Sequence, residues 1–237
     1  MIFPAPLQAA TLIKRYKRFL ADVTTDEGKE ITVYCPNTGS MRGCSTPGSK
    51  VMLSTSPNLK RKYAQTLEMV QEGETWIGIN TMLTNGIVAE AIMDGRVREL
   101  QGIERLTREV TVSKSSRLDL LLERKDTKIY VEIKNCSLVE DGWATFPDAV
   151  TARGTKHLNE LASLVKQGHK GVLFFCIQRT DNDKFRPAAH IDPLYAETLA
   201  KVAKKGVQII AYQAEVTPES IEITKPVPIF LENSELT

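Results

Sequence analysis

Hydrophobic and polar positions follow two different periods along this chain, and the period changes near residue 80. Before that point the apolar residues fall in short runs: TLIKRYKRFLADVTT, KEITVYCPN, KVMLSTSPN, YAQTLEMVQ and TWIGINT. The breaks between them, DEGK, NTGSMRGCSTPGS, NLKRK and EGE, are crowded with Gly, Pro, Asn and Ser, the residues of turns. Five short strands in about 80 residues predict a small barrel, and an oligonucleotide-binding (OB) type barrel has that strand count. Beyond residue 80, NTMLTNGIVAEAIMDG has helical spacing through Leu83, Ile87, Val88 and Ala91, with Asn80 placed to cap it. The strands SSRLDLLLER and KIYVEIKN follow, joined by the tight KDT, and then the long connection CSLVEDGWATFPDAVTARG. Helix TKHLNELASLVKQ, strand GVLFFCIQ, helix PLYAETLAKVAKK and strand GVQIIAYQAEV complete the pattern. Helices alternating with apolar strands predict a mixed α/β sheet covered on both faces. The reading is therefore two domains, residues 1–80 and 81–237, of mixed α+β and α/β class.

The candidate chemistry sits on the two strands that follow the first helix. In KIYVEIKN, Ile129, Val131 and Ile133 point one way and Tyr130, Glu132 and Lys134 the other. In SSRLDLLLER, Arg117, Asp119, Leu121 and Glu123 share one side and Leu118, Leu120 and Leu122 the other. An antiparallel pairing would bring Asp119 to Glu132 and Lys134. Two converging carboxylates make a hard oxygen site suited to Mg²⁺ or Mn²⁺, and an ammonium beside them can position water or stabilise charge on a phosphate. Those are the minimal parts of metal-assisted phosphodiester hydrolysis. Glu90 falls inside the apolar arc of the first helix, where a carboxylate needs a cation, a metal-bound water or a donor; the alternative is a boundary residue reaching solvent. Glu-x-Lys alone is a common strand pattern. Its weight comes from Asp119 on the preceding strand and the acid-bearing and basic helices on either side.

Basic residues cluster in three places. Lys14, Arg15, Lys17 and Arg18 surround Tyr16 and precede Phe19; Lys60, Arg61 and Lys62 stand beside Tyr63; Arg153, Lys156 and His157 open a helix. Cations with interleaved rings compose a nucleic-acid surface, and a helix start favours phosphate. Arg42, in the NTGSMRG loop, adds a further phosphate contact. Each cluster has a plainer reading, as an exposed barrel face or a solvated first turn, and His157 also suits a packed core histidine.

The totals narrow this only slightly. The 237 residues carry a net charge of +2, with 42% hydrophobic and 25% charged residues. That is the profile of an ordinary soluble globular protein, so nucleic-acid binding must rest on local clustering rather than overall charge. Cys35, Cys44, Cys136 and Cys176 lack the spacing of a metal knuckle and read as free thiols in a reducing cytosol. The N-terminus has no apolar signal core, and no run approaches membrane-spanning length.

LQAATLIKRYKRFLADV, CPNTGSMRGC, NLKRKY, SSRLD, VEIK and FPDAVTARGTKHLNEL together closely resemble the bacterial sugar fermentation stimulation protein A family, and the resemblance covers nearly the whole chain. It implies an N-terminal OB-type barrel joined to a restriction-endonuclease-like domain of the PD-(D/E)-x-K superfamily. It also implies DNA binding without strong sequence preference, on double-stranded or structured DNA, and a regulatory link to sugar (maltose) metabolism. The superfamily pattern puts metal-ligand roles on Asp119 and Glu132, the lysine role on Lys134 and the first-helix acid on Glu90. Leu118 stands where the pattern's name has proline. The expectation is a cytoplasmic DNA-binding protein with a Mg²⁺ or Mn²⁺ site; the rival is an active metal-dependent nuclease on DNA or RNA. No base-reading helix-turn-helix is visible, which ranks an operator-specific regulator lower, and nothing excludes a small phosphorylated sugar as ligand.

Overall fold

The computed structural model describes residues 1–113 and 116–231. Strands β1 (Gln8–Tyr16), β2 (Leu20–Thr25), β3 (Glu30–Tyr34), β4 (Lys50–Thr55) and β5 (Gln65–Glu72) form a sheet in the order β3-β2-β1-β4-β5. A parallel contact between Tyr34 and Thr66 closes it into a barrel. Its inward residues Leu12, Val23, Val33, Val51, Leu53 and Leu67 form a core of their own. The closed five-stranded barrel agrees with the sequence reading, but its membership differs. The run TLIKRYKRFLADVTT is not one strand: β1 and β2 are a hairpin that turns at Lys17 and Arg18, with φ of 49° and 64°. Left-handed backbone at two cationic residues carries no Gly or Asn to announce it. The expected fifth strand, TWIG, is β6 (Thr75–Gly78), appended to β5 outside the closed ring.

Helix α1 (Thr81–Met93) starts where expected, with the Asn80 side chain accepting a hydrogen bond from the Met82 amide. The second sheet then runs β15-β14-β12-β9-β8-β7. Its central strands β9 (Thr127–Cys136), β12 (Lys170–Ile177) and β14 (Gln208–Val216) are parallel. Strands β8 (Ser116–Arg124), β7 (Arg105–Ser113) and β15 (Ile221–Pro226) pair antiparallel at the two sides. α1 packs on one face, with Leu120, Leu122, Val131 and Ile133 in the core beneath it. α2 (Ala152–Lys166) and α3 (Pro193–Lys204) pack on the other, where Leu158 and Tyr195 of the helices share a core with Leu173 and Phe175 of β12. Each sheet face thus buries a separate core, which explains why the central strands read as continuous apolar runs.

Four groups of residues were not anticipated as strands. β7 and β15 are edge strands with mostly polar, exposed sequences. The long connection after β9 contains β10 (Leu138–Glu140) and β11 (Trp143–Phe146), which pair with β13 (Lys184–Pro187) in a small three-stranded sheet. Residues at the start of the chain belong to the second sheet's side: Ile2 bridges Ser220, and the Phe3 amide donates to the Glu219 carbonyl. The four cysteines are free and buried, and burial pushes the Cys136 thiol up to about 12. No helix among the described residues is long and apolar enough to cross a membrane.

Candidate metal and nucleic-acid site

The β8–β9 ladder begins at Arg124 opposite Thr127 and ends at Leu120 opposite Val131. Asp119 lies just past its last rung, where the strands part. Its carboxylate takes the place of a ladder partner, accepting the Ile133 amide at 2.7 Å, while its other oxygen accepts the Asn85 amide of α1 at 2.8 Å. The strict alternation of the sequence reading breaks here. Leu118 packs in the core under α2 whereas Leu120 packs in the core under α1. Opposite Asp119 on β7, Glu109 has a φ of 54° and no ladder partner on β8. The strand therefore turns its side chains over at Asp119, and this turn carries the carboxylate to the parting of the strands.

Glu132 stays on the alternating face of β9 and is 3% exposed. One of its oxygens, Oε1, receives both the Lys134 ammonium at 2.5 Å and the ring nitrogen Nδ1 of His157. The other, Oε2, is buried with no protein hydrogen-bond partner. Burial pushes the Glu132 carboxyl up, but His157 and Lys134 outweigh it and hold the group below the usual carboxylate range. Asp119 goes the opposite way: burial first, then the Glu132 charge, pushes it up against the pull of the Ile133 amide, Asn85 and Lys134. Asp119, Glu132 and Lys134 line one cavity, and Asp119 with Arg153, Lys156 and His157 lines the next.

A divalent cation fits this donor set in one respect that matters. A buried, charged oxygen without a partner is costly unless a cation completes it, and Glu132 Oε2 is such an atom beside a second carboxylate. Among the described residues no group of three or more Asp, Glu, His or Cys side chains is placed to hold a metal. An ion here would take two carboxylates and fill its remaining positions with water or phosphate oxygens, the habit of Mg²⁺.

Glu90 does not join them. Its carboxylate pairs with the N-terminal ammonium at 2.6 Å and with Arg96 at 3.2 Å, and it is 41% exposed on a groove formed by Met1, α1 and β7. The cation that a carboxylate at that helix position requires is supplied by the chain itself. α1 contributes Asn85 to the site instead, an uncharged residue that nothing in the sequence pattern marked.

The basic residues divide by role. Arg15 is an anchor: its guanidinium donates to the carbonyls of Arg18, Asn37, Gly39 and Ser40 and so holds the barrel loop 37–40. Asp148, from the connection before α2, clasps the same loop, accepting from the Met41 amide and the Ser40 hydroxyl, both at 3.0 Å. His157 is buried against Glu132 and orients that carboxylate rather than meeting a phosphate. Lys14 pairs with Asp22 at 3.5 Å. Arg61 and Lys62 each lie 5.4 Å from a tyrosine ring centroid, Tyr34 and Tyr63. Lys17, Arg18, Arg42, Lys60, Arg153 and Lys156 are exposed. Register places the β1–β2 and β4–β5 loops at one end of the barrel, because Leu20 pairs with Tyr34, Tyr34 with Thr66, and Thr66 with Ser54. Two of the three basic clusters therefore share a rim. Gln178, just past β12, is fully buried and donates to Asn135 at 2.5 Å and Thr84 at 3.1 Å, a polar tie from the end of β12 to β9 and α1 that sequence reasoning missed.

The same two-part plan recurs in known proteins. The model of the SfsA N-terminal OB domain matches residues 13–79, and that of the sugar fermentation stimulation protein RE domain matches residues 82–220. A sugar fermentation stimulation protein homolog of Desulfotalea psychrophila is 59% identical over 234 residues, covering 99% of this chain and 97% of the relative. One from Citrifermentans bemidjiense is 50% identical over 231 residues, covering 98% and 100%. The solved structure of Pyrococcus furiosus SfsA in complex with Ca²⁺ superposes with a TM-score of 0.88 at 27% identity, covering 97% of this chain and 98% of that one. An OB barrel followed by a restriction-endonuclease-like α/β domain, matched from end to end by such relatives, makes this chain a member of the sugar fermentation stimulation protein (SfsA) family.

Proposed function

We propose that the protein binds DNA without strong sequence preference along the cleft between barrel and sheet, and that Asp119 and Glu132 hold a Mg²⁺ or Mn²⁺ ion beneath the bound backbone. The observation that carries this reading is the bare, buried Oε2 of Glu132 beside Asp119, with Lys134 and the start of α2 around it. The Pyrococcus furiosus relative is described in complex with Ca²⁺, a hard cation of the same oxygen preference. Exposed cations at the barrel rim and on the first turn of α2 suit phosphate rather than base edges. A role in regulating sugar metabolism accords with the relatives' name, sugar fermentation stimulation protein homolog; the proposal extends it to maltose use by a cytoplasmic DNA-binding protein.

Within the site, His157 and Lys134 hold Glu132 as an anion through Oε1 and leave Oε2 buried and without a protein partner. Asn85 and the Ile133 amide fix Asp119. Arg153, exposed at the α2 start and lining both cavities, is placed to clamp a phosphate. A bound divalent ion would polarise a phosphodiester oxygen and acidify a coordinated water. Two measurements test the reading. Titration with Mn²⁺ should show one site in the native protein and none in Asp119→Asn. DNA affinity should fall steeply as salt rises and hardly change with sequence; a flat salt dependence would remove the backbone-binding argument.

A second reading, an active nuclease on DNA or RNA, is favoured by Lys134. Its ammonium sits on the carboxylate face of the cavity, where it can steady an attacking water or the charge developing on a phosphate. Incubation of single-stranded, duplex and structured substrates with Mg²⁺ or Mn²⁺, beside Asp119→Asn and Lys134→Ala, decides it: cleavage lost in both variants supports it, and no cleavage of any substrate rejects it.

A further inference from the structure

Three cavities open in sequence along the cleft, and neighbours share their walls. The first, about 450 Å³, lies between Arg18 and the connection before α2; the second, about 460 Å³, holds Asp119, Glu132 and Lys134; the third, about 550 Å³, holds Arg117 and Lys156. Thr38, Gly39, Phe146 and Asp148 line both the first and the second, and Asp119 and Arg153 line both the second and the third. They therefore form one groove, with a cation in each part: Arg18 at the barrel end, Arg153 in the middle and Lys156 at the far end, where Arg117 is paired with Glu109. Its two nearest acids other than Asp119 and Glu132 are already engaged, Asp148 by Ser40 and the Met41 amide, Glu109 by Arg117 at 2.6 Å.

We infer that this groove takes an unpaired DNA strand, about one nucleotide in each cavity, and excludes an intact duplex from Asp119 and Glu132; the inference rests on the DNA-binding reading above and names its substrate form. Each cavity is of the size that holds one small-molecule-sized unit, roughly 300–1,000 Å³. The groove's barrel wall cannot swing aside cheaply. Loop 37–40 is tied from below by the Arg15 hydrogen bonds to three of its carbonyls, at 2.8 to 3.2 Å, and from the side by Asp148. That set of hydrogen bonds resists any widening of the groove at this wall. At the entrance, Phe19 is 48% exposed beside Arg18, and Tyr34 and Tyr63 carry cations on the same barrel end. Rings interleaved with cations suit bases that have left the stack.

The test is a binding titration in Ca²⁺ with three labelled DNAs: an oligothymidylate, a blunt duplex, and the same duplex with a single-stranded overhang. Each is measured on the native protein and on Thr38→Glu, which places a negative charge in the wall shared by the first two cavities. The strand and the overhang should bind at least about tenfold more tightly than the blunt duplex, a difference one stacked base can supply. Thr38→Glu should lose that preference while melting as the native protein does. Equal or tighter binding of the blunt duplex, or a strand preference untouched by Thr38→Glu, overturns the inference and leaves DNA binding standing. Failure to bind any of the three at low salt overturns the DNA-binding reading itself.

Discussion

Among the described residues three carboxylates are buried, Glu68, Glu132 and Asp192, and the first two, one in each half of the molecule, are treated in opposite ways. Glu68, on β5 of the barrel, is 4% exposed and has both oxygens satisfied by neutral donors: the Ser54 hydroxyl at 2.5 Å and the Asn80 amide at 2.7 Å. Burial dominates, and its carboxyl is pushed up. Glu132, as deeply buried, has two basic partners on one oxygen and nothing on the other, and its carboxyl is held down. Glu68 joins the barrel to the cap of α1 through Asn80 and has no unmet valence. Glu132 is kept ionised and incomplete. A buried acid completed by neutral donors serves the fold; one held as an anion with a bare oxygen is the kind of group that the proposed cation would complete.

Removing each acid should have unequal consequences. Glu132→Ala leaves the Lys134 ammonium, 14% exposed, without its counter-charge. The expected loss, read by urea denaturation, is about 3 kcal/mol or more. Glu68→Ala leaves only neutral donors unpaired and should lose about 1–3 kcal/mol; a larger loss than at Glu132 would reverse the assignment of roles. Next in size is the response to metal. Mn²⁺ at 100 times its dissociation constant should stabilise the native protein and Glu68→Gln by about 2.7 kcal/mol. Asp119→Asn and Glu132→Gln should show no such gain.

Arg15 and Arg18 sharpen the same contrast at the surface. Three positions apart in the chain, an anchor and an exposed cation differ only in what they touch. Arg15→Ala should destabilise the protein by about 1–2 kcal/mol through lost loop hydrogen bonds. Arg18→Ala should leave melting unchanged and reduce DNA affinity and its salt slope. In sequence the two arginines were one basic cluster, because nothing local distinguishes a guanidinium that will meet carbonyls twenty residues away.

The pattern of what could be read follows that rule. Period and composition located α1 with its Asn80 cap, the alternation around Glu132, and the α2–β12–α3–β14 series, because each is specified by neighbours in the chain. The polar edge strands β7 and β15 carry little apolar signal, and the β1–β2 turn lacks the usual turn residues, so these were lost. At the site, Asp119, Glu132 and Lys134 were legible from residue type and spacing. Glu90's partner, the chain's own N-terminus, lies 89 positions away. Asn85, Asp148 and Gln178 act through hydrogen bonds between elements, which no periodicity reports.

The smallest effect is also the most diagnostic, because its sign differs between the two acids. Glu68, displaced upward, favours the folded state while protonated; that contribution is present below its unfolded pKa and is lost as pH rises through its folded value. Glu68→Gln should therefore gain on the native protein by about 1 kcal/mol as pH is raised from the ordinary carboxylate range. Glu132, displaced downward, stabilises above its unfolded pKa and loses that contribution as pH falls through its folded value, so Glu132→Gln should flatten the acid limb of the stability curve instead. Melting curves across pH 3 to 7, about the span of carboxylate titration, check both.

Asp119 and Glu132 are proposed to hold one divalent ion together. Anomalous diffraction from a crystal soaked in Mn²⁺ measures this directly. One peak should appear bridging the Asp119 carboxylate and Glu132 Oε2, with none at Glu68. A map without a peak at that pair, or with manganese only at other acids, would contradict it.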